Sequence, residues 1–425
     1  MNKTQLNEVK RTPHFCAAPW IHLHAVPEGN VQPCCIWDYG VYMDDTDRFG
    51  NINGRTSVLD IMNHDGFKDL RKKFLNNEYE PGCTRCYDRE ETTDDSHSLR
   101  TWMNNTFADD EMLTNTQADG TLDYIKIKYI DIRFGNICNL KCRMCGHGLS
   151  STWFEEEGTI ADINGHSKPD TKFIHVDSYE LVAPYLEYVE EIYFAGGEPL
   201  LYPEHLKMLN RLDELGRWDV KLKYNTNLTT LKYKGTDFID VWKKFKWVHI
   251  GASIDATGDT VEYIRTKLNW DVFCANFTRI KHEAPHVSVT PSPTIGILNL
   301  EKFVEFEQFA LKEDWYAATP FSLNYIMQPD YMNIYNLPLW YKQEIITQLN
   351  AHIIWCDSHG VVGYNVSKID ELITRLSQPH DEVEINRCMV ALEKNLNMWD
   401  ITGNLNWRTA LPHIERLIST HKDSI

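Results

Sequence analysis

The chain has 425 residues, 42% of them apolar and 12% aromatic, with 43 Lys and Arg against 61 Asp and Glu for a formal net charge of −18. Such a composition belongs to a globular chain with one large core and one or two smaller units, and it excludes a fibrous or disordered one. No basic run exceeds Arg71-Lys72-Lys73, and so acidic a chain is repelled by a phosphate backbone, which argues against nucleic acid as a partner. The opening residues lack the apolar segment of a secretory signal, and nothing nears the ~18 apolar residues of a membrane span. A soluble, cytoplasmic protein with no membrane partner is therefore expected. Thiols stay reduced in that compartment, so the eleven cysteines need a role other than disulfides.

In chain order, residues 1–107 open with two alternating segments, Trp20 to Val26 and Asn30 to Trp37, joined by the turn Pro27-Glu28-Gly29-Asn30. That pattern predicts a β-hairpin with Cys16 and Cys34 at its two ends. His22 and His24 share one face of its first strand, where an ordinary half-exposed pair is expected in preference to cluster tuning or substrate contact. Helical spacing of Leu59, Met62, Phe67, Leu70 and Phe74 predicts a helix across 57–77, and Cys83-Thr84-Arg85-Cys86 follows Pro81-Gly82. The polar residues 108–121 read as a linker.

Residues 122–330 alternate strand-like and helix-like segments. Candidate strands cover 128–134, 190–196, 220–227, 247–255, 287–295 and 320–327. Six strand-then-helix repeats predict an α/β fold with a parallel sheet and outer helices, either a partial barrel or a doubly wound sheet. In such barrels the chemistry gathers at the C-terminal ends of the strands. Polar residues collect there: Gly135-Asn136, Gly196-Gly197-Glu198, Asn225-Thr226-Asn227 and Ser253-Ile254-Asp255. Residues 331–425 read as a mostly helical extension without an assignable motif. Cys274, Cys356 and Cys388 stand alone in apolar surroundings and read as small buried hydrophobes.

Cys138, Cys142 and Cys145 follow the first of these strands in a Cx3Cx2C run. A short loop of this spacing can hold three corners of a cube of iron and sulfide, leaving the fourth iron open to chelate a cofactor. Zinc is the competing reading, although it usually takes four protein ligands in two CxxC pairs.

The segment CNLKCRMC, with AGGEPLL after the next strand, resembles the radical S-adenosylmethionine (radical SAM) superfamily. The resemblance implies a partial (β/α)6 TIM-like barrel, a [4Fe–4S] cluster on the three cysteines, and S-adenosyl-L-methionine bound at the open iron. It implies contacts to the methionine amino group from Gly196, Gly197 and Glu198. Asn225 and Asn227 resemble the family's polar third-strand segment. GASIDATGDTVEYIR is similar to the fourth, where Ser253, Asp255 and Arg265 would face the ribose and carboxylate, and TPSPTIGILN resembles the fifth strand beside the adenine. The residue before the third cysteine is often aromatic in the family and packs by the adenine; here Met144 stands in that place.

From chemistry alone, Cys16, Cys34, Cys83 and Cys86 could enclose either zinc or an iron–sulfur cluster. Their spacing, with Gly29 five positions before Cys34, resembles the twitch module, a shortened SPASM domain. That resemblance implies an auxiliary [4Fe–4S] cluster in a small α+β twitch module, placed before the barrel rather than after it. Adjacent strand residues point to opposite faces, so Cys34 and Cys35 do not both ligate in regular geometry, and the resemblance selects Cys34. The expected activity is reductive cleavage of S-adenosylmethionine to a 5′-deoxyadenosyl radical that takes a hydrogen atom from substrate, with flavodoxin or ferredoxin as electron donor. A small polar metabolite is the expected substrate, a peptide or protein the alternative, and a non-catalytic zinc scaffold the more distant one. Asp131, Arg133, Tyr193, Tyr224 and Tyr325 are candidates to line the substrate chamber.

Overall fold

The computed structural model describes residues 8–42, 45, 47–54, 57–92, 98–316, 323–360, 364–379 and 381–424. The chain forms two compact units, Met1–Ile137, Phe173–Tyr224 and Lys244–Val248 in the first and the remaining segments in the second. The strands β1 (His22–Ala25), β2 (Val31–Gln32), β3 (Tyr129–Ile132), β4 (Glu191–Phe194) and β5 (Lys221–Thr226) stand in the order β5-β4-β3-β1-β2.

The hairpin forms as expected, with β1 and β2 antiparallel through His24–Gln32 and Ala25–Val31. Its first strand also pairs in parallel with β3, placing His22 beside Tyr129 and His24 beside Asp131. Strands β3, β4 and β5 continue the parallel pairing. Parallel pairing draws a strand into a sheet that is covered on both faces, and β1 is buried throughout: His22 is 0% exposed and His24 3%. The half-exposed pair expected from the hairpin alone is therefore a buried one. Tyr224 lies opposite Phe194 in the register and meets His205 of the helix Pro203–Glu214, its hydroxyl 3.0 Å from Nε2. It packs under the helices rather than with Asp131 and Tyr193, and so leaves the group of candidate chamber residues.

The single helix expected across 57–77 is two, Val58–Met62 and Asp65–Leu75. Ser57 caps the first through the amides of Leu59 and Asp60. The break falls where a helical carbonyl is diverted: Met62 gives its oxygen to the Arg71 guanidinium at 2.6 Å, and the Asn63 side chain bonds both N–H and C=O of Leu122. The stretch read as a linker carries a short helix, Asp110–Thr114, with the Asp109 carboxylate accepting from the Met112 amide.

The strand β6 (Trp247–Ala252), whose residues from His249 on belong to the second unit, pairs in parallel with β7 (Ser288–Pro291) from His249–Ser288 to Ala252–Pro291. The helical pattern after Gly258 is interrupted: a helix Gly258–Ile264, a two-residue strand Arg265–Thr266, then a helix Trp270–Glu283 capped by Asn269. The sixth candidate strand is reduced to Asn324–Tyr325, parallel to Thr294–Ile295, and its residues 320–322 lie outside the described ones. The α/β class with parallel strands stands, while six full strand–helix repeats are not seen among the described residues. The helical extension runs through Leu339–Ser358, Tyr364–Leu376, Glu382–Gly403 and Pro412–Ser424. Its Ile345, Leu349, Leu392 and Trp407 share one apolar core with Tyr263, Ile295 and Ile297. No described helix is long and apolar enough to cross a membrane.

Arg71 anchors the first unit and is 0% exposed. Its guanidinium donates to the carbonyls of Gly120 (2.6 Å), Pro19 (2.8 Å) and Met62 (2.6 Å). Burial lowers its pKa to about 9, so it remains charged at neutral pH. Arg71→Met leaves three buried carbonyls unpaired, at a cost on the order of 3 kcal/mol or more. The expected result is a melting temperature lower by roughly 6–12 °C, with Arg71→Lys restoring little, because one ammonium cannot reach all three acceptors.

Candidate metal centres

Cys138, Cys142 and Cys145 lie in the second unit on a loop that the surrounding chain holds in place. Lys141 and Cys142 form an antiparallel ladder with Thr266 and Arg265, and the Arg143 amide donates to the Ile264 carbonyl at 2.7 Å. Alternation sends the side chains of Lys141 and Arg143 one way and Cys142 the other. Both cations grip Glu156, which is 4% exposed: Arg143 Nη1 lies 2.9 Å from Oε1, and Lys141 Nζ bonds Oε2. The Arg143 guanidinium also donates twice to Thr266 Oγ1 and sits between the Trp153 and Trp399 rings at 4.9 and 5.4 Å. A turn then brings the Cys145 amide to the Cys142 carbonyl at 2.9 Å.

Two sulfurs receive N–H groups. Arg265 Nη1 stands 3.7 Å from Cys142 Sγ, and Asn227 Nδ2 stands 3.9 Å from Cys138 Sγ. Burial raises the pKa of the Cys142 thiol, and Arg265 takes back part of that rise. Arg265 is itself held by Asp255 through Nε–Oδ2 at 2.6 Å and Nη2–Oδ1 at 2.9 Å. Asp255 is 0% exposed and also accepts the Thr294 amide at 2.8 Å. Asp255 is thus engaged by Arg265 and by the Thr294 amide. Ser253 and Asn225 are half-buried, the Ser253 amide bonding the Thr226 carbonyl at 2.8 Å. Met144 is half-buried and packs, with Cys145, on the apolar core of this unit.

The Gly-Gly-Glu segment belongs to the first unit. A Cβ on Gly197 would lie 2.3 Å from the Ile137 carbonyl, and Gly196 has a φ of +115°, so both positions demand glycine. The Glu198 amide bonds that same Ile137 carbonyl at 2.8 Å, while its carboxylate, 1% exposed, accepts the Leu200 amide at 3.2 Å.

Cys16, Cys34, Cys83 and Cys86, also in the first unit, border one small cavity whose other walls include Ile36, Leu99, Arg100 and Met103. Cys35 does not line it; its thiol lies instead by Asp131 and Arg133. Burial pushes Cys16 up to about 12 and Cys34 and Cys83 well above the ordinary thiol range, and each is pushed further by neighbouring members of the quartet. Four thiols crowded in this way ionise together only around compensating positive charge, which an iron–sulfide core supplies. Among the described residues no three His, Cys, Asp or Glu side chains are drawn to the spacing of a single ion. The CxxC is fixed by Glu80, which is 0% exposed and accepts from the Gly82 amide (3.1 Å), Tyr42 hydroxyl (2.6 Å) and Lys73 ammonium (3.0 Å). Sequence reasoning missed Glu80 and Glu156, which carry no motif, and Arg143, which lies within the cysteine run.

On the sheet face of β1, β3 and β4, His24 Nδ1 stands 3.1 Å from Asp131 Oδ2, Asp131 pairs with Arg133 at 2.9 Å, and Arg133 lies over Tyr193. Burial alone would raise the Asp131 pKa, but Arg133 and His24 outweigh it and hold the carboxyl well below the usual range. Tyr325 is covered by Arg375 at 4.3 Å in the second unit. Of the isolated cysteines, Cys356 and Cys388 are buried, as expected, and Cys274 is half-buried.

Residues 132–310 match the radical SAM superfamily, and residues 16–87 match SPASM, an iron–sulfur cluster-binding domain. Among curated proteins there is no match. Among solved structures, Streptococcus suis SuiB bound to precursor peptide SuiA is 13% identical, with a TM-score of 0.36 over 55% of this chain and 48% of that one. His-tagged anSMEcpe with bound AdoMet is 15% identical, with a TM-score of 0.36 over 55% of this chain and 62% of that one. Native anSMEcpe with AdoMet and the Cp18Cys peptide is 17% identical, with a TM-score of 0.34 over 53% of this chain and 59% of that one. The chain thus spans about half to three-fifths of the length of these solved chains. The two matched segments are thus similar to a radical SAM domain and to an iron–sulfur cluster-binding domain. Its cofactors are a [4Fe–4S] cluster with S-adenosylmethionine and an auxiliary iron–sulfur cluster.

Anaerobically reconstituted protein should hold about eight irons, four per cluster. Cys83→Ser should remove about half of them and Cys35→Ser none. An equal loss in both variants would contradict the choice of Cys34 as ligand.

Proposed function

We propose that this chain reductively cleaves S-adenosylmethionine at a [4Fe–4S] cluster held by Cys138, Cys142 and Cys145, and takes a hydrogen atom from a peptide or protein substrate. The observation that carries the reading is a ladder-locked loop presenting three thiols, with the Arg265 guanidinium on Cys142 Sγ at 3.7 Å. Three protein ligands leave one iron free for the cofactor. When bound, the cluster and S-adenosylmethionine supply one electron and a 5′-deoxyadenosyl radical. The chain's own part is to bind, orient and shield. Arg265, aligned by Asp255, sets positive charge against the thiolates, and Asn227 donates to Cys138. Gly196, Gly197 and Glu198 offer backbone and carboxylate groups for the methionine end, and Asn225, Ser253 and Met144 are assigned to the remaining cofactor contacts.

The quartet Cys16, Cys34, Cys83 and Cys86 is assigned to the auxiliary cluster. Four protein ligands leave no iron open to substrate, so this cluster fits electron transfer. The expectation of a small metabolite follows from a small, fully ligated twitch module with no segment that reads as a peptide-docking domain; the match over residues 16–87 is to SPASM, an iron–sulfur cluster-binding domain. SuiB and anSMEcpe are proteins solved with peptides bound. Oxidation of a small polar metabolite is the second reading, favoured by the four-thiol cavity, since an electron acceptor suits a two-electron oxidation. Flavodoxin or ferredoxin is the proposed electron donor and the cytoplasm the proposed location.

Anaerobic enzyme given dithionite and S-adenosylmethionine should form 5′-deoxyadenosine, and Cys142→Ala should abolish it. Asp255→Asn, which leaves Arg265 without its partner, should lower the yield about 10–100-fold, while Cys83→Ser should still cleave the cofactor. Cleavage that survives Cys142→Ala refutes the assignment. Deuterium carried into 5′-deoxyadenosine from labelled peptides or labelled sugars decides between the substrate classes.

A further inference from the structure

The auxiliary cavity has one charged wall, and its arrangement is specific. Arg100 lines the cavity beside Cys16 and Cys86. It opens the helix Leu99–Phe107, whose N-cap Ser98 accepts the Thr101 amide. The backbone amides of Leu99 and Arg100 are turned toward the Cys86 thiol. The guanidinium is fixed on three sides. Nη1 donates to the Phe15 carbonyl at 2.8 Å, next in sequence to Cys16. Nε donates to Glu90 Oε1 at 3.0 Å, and Nη2 bonds Oε2 of the same carboxylate. The Tyr87 ring lies 5.8 Å away. Both charged side chains are only 10% exposed, so water screens them little. Glu90 is further tied by the Ser98 hydroxyl. On the outer side, Tyr87, Glu90 and Arg100 form the wall of a second cavity of about 640 Å³. Arg100 lines both cavities.

A cluster with four thiolates is already anionic, and reduction adds one more negative charge in a place poor in solvent. A fixed cation and aligned amides favour that electron, and a fixed carboxylate opposes it. We propose that the Arg100–Glu90 pair sets the reduction potential of the auxiliary cluster, Arg100 raising it and Glu90 lowering it. This rests on the reading that Cys16, Cys34, Cys83 and Cys86 hold the cluster. The pair acts as a positioned charge couple and not as a ligand. The Arg100 half of the pair favours the reduced cluster, which suits an electron leaving a substrate radical.

The test is a redox titration of the auxiliary cluster, followed by its EPR signal in full-length protein carrying Cys138→Ala, Cys142→Ala and Cys145→Ala, so that no other cluster contributes. Adding Arg100→Met should lower the reduced-to-oxidised ratio at a fixed potential at least tenfold, a shift of about 59 mV for one electron. Arg100→Lys should bring most of it back. Glu90→Gln should move the ratio the other way, and it decides the matter alone where Arg100→Met does not retain iron. Unchanged midpoints in the variants that retain iron, or a Glu90→Gln shift in the same direction as Arg100→Met, overturn the proposal. Absence of any iron signal in the Cys138/Cys142/Cys145 background instead overturns the assignment of the quartet to a cluster.

Discussion

Cysteine ligands serve a cluster only where their backbone is fixed beforehand, and in both thiol sets one buried glutamate does the fixing. Glu156 draws in Lys141 and Arg143, the two neighbours of Cys142, and so turns that thiol to the opposite side of its strand. Glu80 gathers the Gly82 amide, the Tyr42 hydroxyl and the Lys73 ammonium at the head of the turn that presents Cys83 and Cys86. A buried carboxylate is costly unless its bonds are filled. Here Lys141, Arg143 and Gly82 lie on the segments that carry the cysteines, so filling each carboxylate also fixes those segments. Removal of either glutamate strands cations or donors next to the thiols, a more damaging change than loss of a surface charge pair.

Positive charge is then distributed with economy. The Cys138/Cys142/Cys145 set has Arg265, aligned by Asp255, and the quartet has Arg100, aligned by Glu90. In each case an arginine lies beside sulfur and a carboxylate fixes it. This arrangement lets sulfur ionise in a buried place without leaving a free cation there. It also separates tasks in the proposed mechanism. One set keeps an open iron for the cofactor, and the other, fully ligated, takes or relays an electron.

Much of this was legible in the sequence because it rests on local pattern. The hairpin, five of the strands, the cysteine run and the Gly-Gly-Glu turn are short-range signals, and they sit where periodicity and turn chemistry place them. What escaped depends on partners distant in the chain. The parallel pairing of β1 with β3, which buries His22 and His24, joins segments more than a hundred residues apart. The break at Asn63 follows from Arg71 claiming the Met62 carbonyl, and no local propensity records that claim. Tyr224 faces the helices because register, not composition, sets its side of the sheet. Glu80 and Glu156 look like ordinary surface acids until their partners are known.

The central claim is two tetranuclear iron sites on two distinct thiol sets. Anomalous scattering at the iron edge from crystals of the anaerobically reconstituted chain tests it most directly. The account predicts two four-iron peaks, one bonded to Cys138, Cys142 and Cys145 with a corner free of protein, and one bonded to Cys16, Cys34, Cys83 and Cys86. A peak at the zinc edge on either set, or a single iron site shared between them, contradicts it.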